Sequence, residues 1–202
     1  MTSPNFHEEE KLWAQGFEHV AGLDEAGRGP LAGPVVAAAV IAGSDLAILE
    51  VNDSKKLSEK KREELYQVLT NHPDINWGVG IVSQEVIDQI NILEASKLAM
   101  KQALENLGAD FLLLDGNFIL DGLDISQKSI IKGDSKVFSI AAASIIAKVT
   151  RDRIMQQMHR QFPEYGFDKH KGYGTAAHIK QLKNLGPCKI HRKTFAPVNN
   201  MV

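Results

Sequence analysis

Residues 22–34 read Gly-Leu-Asp-Glu-Ala-Gly-Arg-Gly-Pro-Leu-Ala-Gly-Pro. A short apolar run, Val20, Ala21 and Leu23, leads into two adjacent acids, Asp24 and Glu25. The acids open onto a loop holding Gly27, Gly29, Pro30, Gly33 and Pro34, and a second apolar run over residues 35–41 follows. The pattern is strand, turn, strand. Carboxylates at a strand end can hold a hard cation, and a backbone stripped of side chains can lie directly against a ligand. A glycine-rich loop alone fits any plain hairpin. Adjacent acids entering it are more telling, because paired like charges at a strand end cost stability until a cation or solvent relieves them.

Around this hairpin the pattern is α/β and one domain. Strands are predicted over 19–25, 34–42, 75–83, 111–115 and 128–132. Helices are predicted over 58–70, with Ser58 as N-cap, and over 91–107, ended by Gly108. A long helix over 136–160 is apolar nearly all round in its first half, which argues for burial against the sheet. A shorter helix follows Thr175 and stops before Gly186-Pro187. Strands first, then alternating helix and strand, predict a mixed sheet flanked by helices. There is no internal repeat and no low-complexity linker.

At 202 residues and 44% hydrophobic, the chain can bury a core as a single domain. Its longest apolar runs, near 35–42 and 138–147, fall short of the roughly 20 residues that a membrane span needs. The polar, acidic segment 1–11 does not read as a secretory signal. One cysteine, Cys188, excludes an internal disulfide and fits a reducing compartment, with packing as its default role. Together these predict a cytoplasmic protein with no membrane partner.

The net charge of −2 hides an asymmetry: residues 148–193 carry 11 Lys/Arg against 3 Asp/Glu, and four of the seven histidines. A basic face beside an acidic site suits a polyanion held by one region and cut in the other, although a solvated helical surface explains the charge run equally well.

Two further acids stand at element ends. Asp115 closes the buried-type run Phe111-Leu-Leu-Leu-Asp115, and Gly116 turns the chain away. Asp134, between Gly133 and the long helix, reads by itself as a helix cap. Neighbouring strand residues point to opposite faces, so Asp24 and Glu25 cannot both aim inward from a regular strand. Glu25 is therefore expected where the strand breaks, or as a main-chain oxygen donor. No Cys-His pair, Gly-x-Ser-x-Gly elbow or P-loop suggests a covalent nucleophile.

The segment 22–34 resembles the opening motif of ribonuclease HII, the type 2 ribonuclease H family. The resemblance continues through Asp53-Ser-Lys-Lys-Leu-Ser58, Leu114-Asp115-Gly116, Gly133-Asp134, Ala141-Ala-Ala-Ser-Ile-Ile-Ala-Lys148 with Arg151-Asp152, and His170-Lys-Gly-Tyr-Gly-Thr175. These six motifs fall in family order over roughly residues 19–197. The resemblance implies a ribonuclease H-like fold, with a core over about 19–160 and a basic C-terminal helical segment over about 161–198. It matches Asp24, Glu25, Asp115 and Asp134 to the family's four catalytic acids, which shifts all of them toward a shared two-metal site for Mg²⁺ or Mn²⁺.

By the same resemblance, Gly27-Arg28-Gly29 contacts the ribonucleotide and the phosphate beside it. Tyr173 stacks at the junction and reads the 2′-OH, the group that tells RNA from DNA. Lys55, Lys56, Lys148, Lys169, His170 and Lys171 are implied as phosphate holders, contacts that position a duplex without reading its sequence. Asp152 is expected as an ion-pairing residue on the helix surface, and His178, His191 and Arg192 as structural or solvent-facing groups as readily as DNA contacts.

The expected activity is an endoribonuclease that cleaves the RNA strand of RNA–DNA hybrids. It would also nick duplex DNA 5′ of an embedded ribonucleotide, leaving 5′-phosphate and 3′-hydroxyl ends, for ribonucleotide excision repair and RNA primer removal. Three alternatives are a ribonuclease HIII-type nuclease, a catalytically dead hybrid-binding module, and a DNA transposition or resolvase nuclease. The first would carry an extra N-terminal domain, for which the 18 or so residues before the first strand leave no room, and a glutamate where this chain has Asp134. A monomer is expected. Protein partners such as a sliding clamp are left open, and residues 195–202 read as a loose or docking tail.

Overall fold

A computed structural model describes residues 3–48, 51–55 and 57–201 of the chain. Strand β1 (Val20–Ala26) pairs antiparallel with β2 (Val35–Ala42), and β2 pairs antiparallel with β3 (Ile75–Val82). On its other side β1 runs parallel to β4 (Phe111–Asp115), which runs parallel to β5 (Ser126–Ile130). The order β3-β2-β1-β4-β5 makes one mixed sheet, as expected. The fifth strand sits two residues earlier than its predicted span. The chain turns left-handed at Lys132 (φ 57°), which lets the Gly133 N–H reach Asp115.

β2 shows why the sheet is sandwiched. Every one of its residues is buried, and they are valine, alanine and isoleucine throughout. Alternate side chains leave by opposite faces. Ala38, Val40 and Ala42 pack with helix residues such as Phe138, Ala142 and Ile145, while Ala37, Ala39 and Ile41 pack with Ala95, Ala99 and Met100. The first group of partners belongs to a long helix (Phe138–Gln161) and the second to a 20-residue helix (Gln84–Ala103) on the other face. In β1 the contact is closer still: a Cβ on Gly22 would lie 2.3 Å from the main chain of Ser139. The long helix therefore rests on bare backbone two residues before Asp24.

In chain order the helices are α1 (His7–Trp13), α2 (Glu59–Asn71), α3 (Gln84–Ala103), α4 (Phe138–Gln161), α5 (Phe167–His170) and α6 (Ala176–Leu185). Ser58 caps α2 as predicted, its hydroxyl accepting the Lys61 N–H at 3.2 Å. Thr175 caps α6 in the same way. Residues 138–147 of α4 are all buried, as the apolar run implied. The predicted start of the third helix at residue 91 coincides with a kink: Asn91 is left-handed (φ 68°), and its side chain accepts the N–H groups of Leu93 and Glu94. The helix nevertheless begins at Gln84. It ends at Ala103 rather than at residue 107 before Gly108, because residues 104–107 close tighter three-residue turns.

α1 has no counterpart in the sequence reading. It carries a fully buried acid, Glu9, whose Oε1 accepts both the N–H (3.0 Å) and the hydroxyl (2.7 Å) of Ser139. The first turn of α4 is thus capped from another helix. The tail is not wholly loose: Phe195, Val198 and Met201 pack against the protein's own core and Val198–Asn200 form a 3-10 turn. Val202 lies outside the described residues. No helix among them is long and apolar enough to cross a membrane.

Candidate metal centre and nucleic-acid cleft

The register that sets Leu23 opposite Leu114 brings Asp24 and Asp115 out of neighbouring parallel strands at one level. Asp134 joins them from the 3-10 turn Gly133–Ser135 ahead of α4. Oxygens of the three carboxylates lie within 4.8 Å of one another. Asp134 is not the cap of the long helix, a position held by Val137.

Few protein groups offset this charge. Asp24, only 3% exposed, accepts the Glu25 N–H at 2.7 Å, and Asp115 accepts the Gly133 N–H at 2.7 Å. Lys55, whose side chain is 75% exposed, reaches Asp134 at 3.3 Å. Burial, then the charges of Glu25 and Asp115, hold the Asp24 carboxyl well above the usual carboxylate range. Burial and then Asp134 push Asp115 up. Lys55 responds in the opposite sense: burial would lower it, but Asp24 and Asp134 together raise it.

Glu25 corrects one expectation. It sits inside regular β1, paired with Ala37, so the strand does not break there. Its side chain has the opposite parity to Asp24 and stays outside the three-carboxylate group. Arg28 donates to its Oε1 at 3.2 Å, while Oε2 is buried with no hydrogen-bond partner among the described residues. Burial raises Glu25 against the pull of Arg28. Hard oxygen donors only, crowded carboxylates and an orphaned buried oxygen fit an oxygen-ligated divalent cation such as Mg²⁺ or Mn²⁺.

Beside the acids lies a cleft of about 260 Å³ whose lining includes Glu25, Gly27, Arg28, Gly29, Lys55, Lys148 and Tyr173. Seven of the expected site residues therefore share one wall. Tyr173 is 42% exposed, and Lys148 Nζ (5.9 Å) and Arg151 Cζ (5.8 Å) approach its ring. Lys148 also pairs with Asp152 at 2.7 Å. The ion pair matches expectation, but Asp152 is buried rather than on the surface. Lys171 is turned away, its ammonium donating to the Asp168 carbonyl, and the His170 ring contacts the Tyr165 carbonyl at 2.8 Å. Lys56 lies outside the described residues.

Two arginines hold the glycine loop: Arg151, known from the sequence only as part of a motif, and Arg192, expected as a structural or solvent-facing group as readily as a DNA contact. Arg151 and Arg192 have no solvent exposure. Arg151 donates to the carbonyls of Pro34 (3.0 Å), Ala32 (3.1 Å) and Lys171 (3.0 Å). Arg192 donates to Gly27 (2.6 Å), Arg28 (2.9 Å) and Gly33 (2.9 Å). Gly27 is left-handed (φ 102°), and a Cβ there would lie 2.2 Å from Arg151 Nε. Only glycine leaves room for that guanidinium. The charge surplus of residues 148–193 is thus partly interior. So are the histidines: His178 and His191 are buried against each other.

Cys188 packs against the buried cluster that holds Met155 and Ile190, as expected, and its Sγ lies 3.2 Å from His191 Nδ1, a Cys-His contact that the sequence reading did not include. It lines no wall of the cleft, and burial pushes its thiol up, away from the nucleophilic thiolate.

Residues 21–198 match the sequence model of a family described as Ribonuclease HII. The chain is similar to the Ribonuclease HII of Chlamydia caviae, at 55% identity over 96% of this chain and 92% of that protein. In structure it is similar to a chain of the PCNA:RNase HII complex from Archaeoglobus fulgidus (TM-score 0.76, 28% identity, 88% of this chain and 95% of that one). A comparable match is the ribonuclease H2 of Pyrococcus horikoshii OT3 (TM-score 0.74, 27% identity, 91% of this chain and 97% of that one). The ribonuclease H-like architecture expected from the motifs is therefore present, with the helical region at the C-terminal end.

Proposed function

The chain belongs to the ribonuclease HII family and is a ribonuclease H acting on RNA–DNA hybrids; from that premise we propose that it is metal-dependent and also nicks duplex DNA on the 5′ side of an embedded ribonucleotide. The observation that carries this is the meeting, at the C-terminal ends of the inner strands β1 and β4, of three crowded carboxylates with a cleft lined by Gly27, Arg28, Gly29 and Tyr173. The family match sets aside the ribonuclease HIII alternative.

In this proposal Asp24, Asp115 and Asp134 hold Mg²⁺ or Mn²⁺, with Glu25 completing the set. The bound cation supplies water activation at neutral pH and offsets negative charge developing on the leaving 3′-oxygen. The bare backbone at Gly27 and Gly29 admits the ribose, and Arg28 meets the phosphate beside it. Tyr173 stacks under the sugar at the RNA-to-DNA step and tests the 2′-OH, whose donor-and-acceptor character no deoxyribose shares. Lys55 and Lys148 hold neighbouring phosphates. The products carry 5′-phosphate and 3′-hydroxyl ends. The work of such an enzyme is excision of ribonucleotides and removal of RNA primers in the cytoplasm, as a monomer on a nucleic-acid duplex. The core over 19–160 and the segment over 161–198 serve it as one domain.

An end-labelled DNA duplex with one ribonucleotide, incubated with Mg²⁺, Mn²⁺ or EDTA beside an all-DNA control, tests the proposal. The expected result is a single metal-dependent nick 5′ of the ribonucleotide and an intact control. Cutting of the control would remove the 2′-OH from the recognition. Cutting in EDTA would remove the metal.

A further inference from the structure

Tyr173 stands on a short loop in which four successive carbonyls accept hydrogen bonds. The His170 carbonyl takes the Tyr173 N–H (2.8 Å), that of Lys171 takes Arg151 Nη1 (3.0 Å), and that of Gly172 takes the Leu31 N–H (2.8 Å). The Tyr173 carbonyl accepts the Thr175 N–H (2.8 Å) and lies 2.9 Å from His178 Nδ1. Behind His178 the contacts continue inward. Its Nε2 lies 3.0 Å from His191 Nε2, and the Cys188 N–H donates to His191 Nδ1 at 2.9 Å.

The two ends of this row determine where each proton sits. A main-chain N–H can only donate, so His191 Nδ1 must offer a lone pair to Cys188, and a neutral His191 then carries its proton on Nε2. That proton points at His178 Nε2, which must accept it. His178 in turn carries its proton on Nδ1, facing a carbonyl that can only accept. The reverse direction fails at both ends: Nδ1–H would face an N–H at Cys188, and two lone pairs would face each other at Tyr173. The Cys188 carbonyl, 3.3 Å from His191 Nδ1, has room for a second bond, but an Nδ1–H aimed at it would still meet the Cys188 N–H at 2.9 Å. A second proton on either ring breaks the row.

We propose that His178 and His191 form a one-way relay of neutral imidazoles that fixes the Tyr173 carbonyl and, through it, the placement of the Tyr173 ring over the cleft. The proposal rests on the reading of Tyr173 as the residue that meets the ribonucleotide. Both histidines are positioning residues, since neither lines the cleft. Their surroundings keep them neutral. The His170 ring stacks on His178 at 4.4 Å, the rings of Tyr165 and Phe167 flank His191 at 5.1 and 5.6 Å, and the Cys188 thiol lies beside it. Burial, then His178, pushes His191 down to about 4, and burial also lowers His178.

The direct test is ¹⁵N NMR of the histidine rings in the full chain at neutral pH. The relay requires the Nδ1–H tautomer at His178 and the Nε2–H tautomer at His191. The opposite tautomers, or a cationic ring at either position, overturn it. The functional test compares Tyr173→Ala, His178→Leu, the double variant and His178→Asn on the single-ribonucleotide duplex. Loss of the donor to Tyr173 should lower kcat/KM about tenfold in His178→Leu, the factor that one lost hydrogen bond of ordinary strength predicts. Asn, which keeps an N–H near the Nδ1 position, should recover most of it. In the Tyr173→Ala background His178→Leu should have no further effect. An equal loss in both backgrounds makes the histidines merely structural and overturns the relay. Full activity of His178→Leu beside an impaired Tyr173→Ala overturns the relay and keeps the tyrosine reading. Full activity of Tyr173→Ala overturns both.

Discussion

The Arg192 guanidinium donates to the Gly27 carbonyl at 2.6 Å, tying the C-terminal segment to the turn two residues past Glu25. Arg192→Met would bury the carbonyls of Gly27, Arg28 and Gly33 without this donor. Unpaired buried acceptors cost about 1–3 kcal/mol each, so a loss on the order of 3 kcal/mol or more is expected in urea unfolding. Arg192→Lys should not rescue it, because an ammonium cannot span the fork that a guanidinium fills. Lysine within about 0.5 kcal/mol of wild type would show that charge alone suffices.

The acid cluster predicts opposite signs for stability and activity. With EDTA present, Asp24→Asn relieves repulsion from Glu25 and Asp115 and should stabilise the fold by about 1 kcal/mol. Cleavage should fall on the order of a thousandfold, the several kcal/mol that metal-assisted charge stabilisation supplies. Mn²⁺ should raise the Tm of wild type but not of the variant. Thermal scans with and without metal check this, and equal metal-induced shifts would sink the assignment.

Tyr173 separates stacking from hydroxyl chemistry. Tyr173→Ala loses a stacking platform worth about 1–3 kcal/mol, hence roughly a tenfold or greater fall in kcat/KM on the single-ribonucleotide duplex. Tyr173→Phe keeps the ring and should lie between wild type and alanine. A phenylalanine variant as poor as alanine would place the whole effect on the hydroxyl.

His191 makes folding pH-dependent. Its folded value of about 4 lies below the ordinary value of 6.5, so the unfolded chain takes up a proton first on acidification. The stability tied to its neutral form is complete above pH 6.5 and is lost as pH falls toward 4. His178 is lowered too and acts in the same direction. Tm measured across this window should drop more steeply for wild type than for His191→Gln. Parallel curves would mean that His191 titrates normally.

The strands, Asp24 and Asp115 were legible because local signals carry them, apolar runs ended by acids with a glycine close behind, whereas Asp134 read by itself as a helix cap and joined them only through the resemblance. Glu9 was not. It lies in a polar run, and only the meeting of α1 with Ser139, 130 residues later, makes it a buried cap. The loop-holding roles of Arg151 and Arg192 were hidden for a similar reason. An arginine reads as surface until the fold surrounds it with carbonyls, and here those carbonyls come from residues up to 165 positions away. The histidine pair, 13 residues apart, shows no helical or metal-site spacing; α6 and the loop after it bring the rings together. Glu25 was expected at a strand break or as a main-chain oxygen donor because parity forbids two inward acids, and the parity rule held while the strand continued.

α4 gives the site a fixed length. Ser144 stands beside Asp24, and Arg151, seven residues on, reaches the glycine loop and the carbonyl of Lys171. Seven residues are about two helical turns, roughly 10 Å, so both side chains leave the same face of one rod. One inserted residue between them would swing one end by about 100° and advance it by about 1.5 Å relative to the other. In the proposed reading, the distance from the phosphate to be cut to the sugar to be inspected is ruled off on a single helix. Under the proposed function, a ribose one nucleotide out of place is therefore expected to fail on length even where every contact chemistry is right.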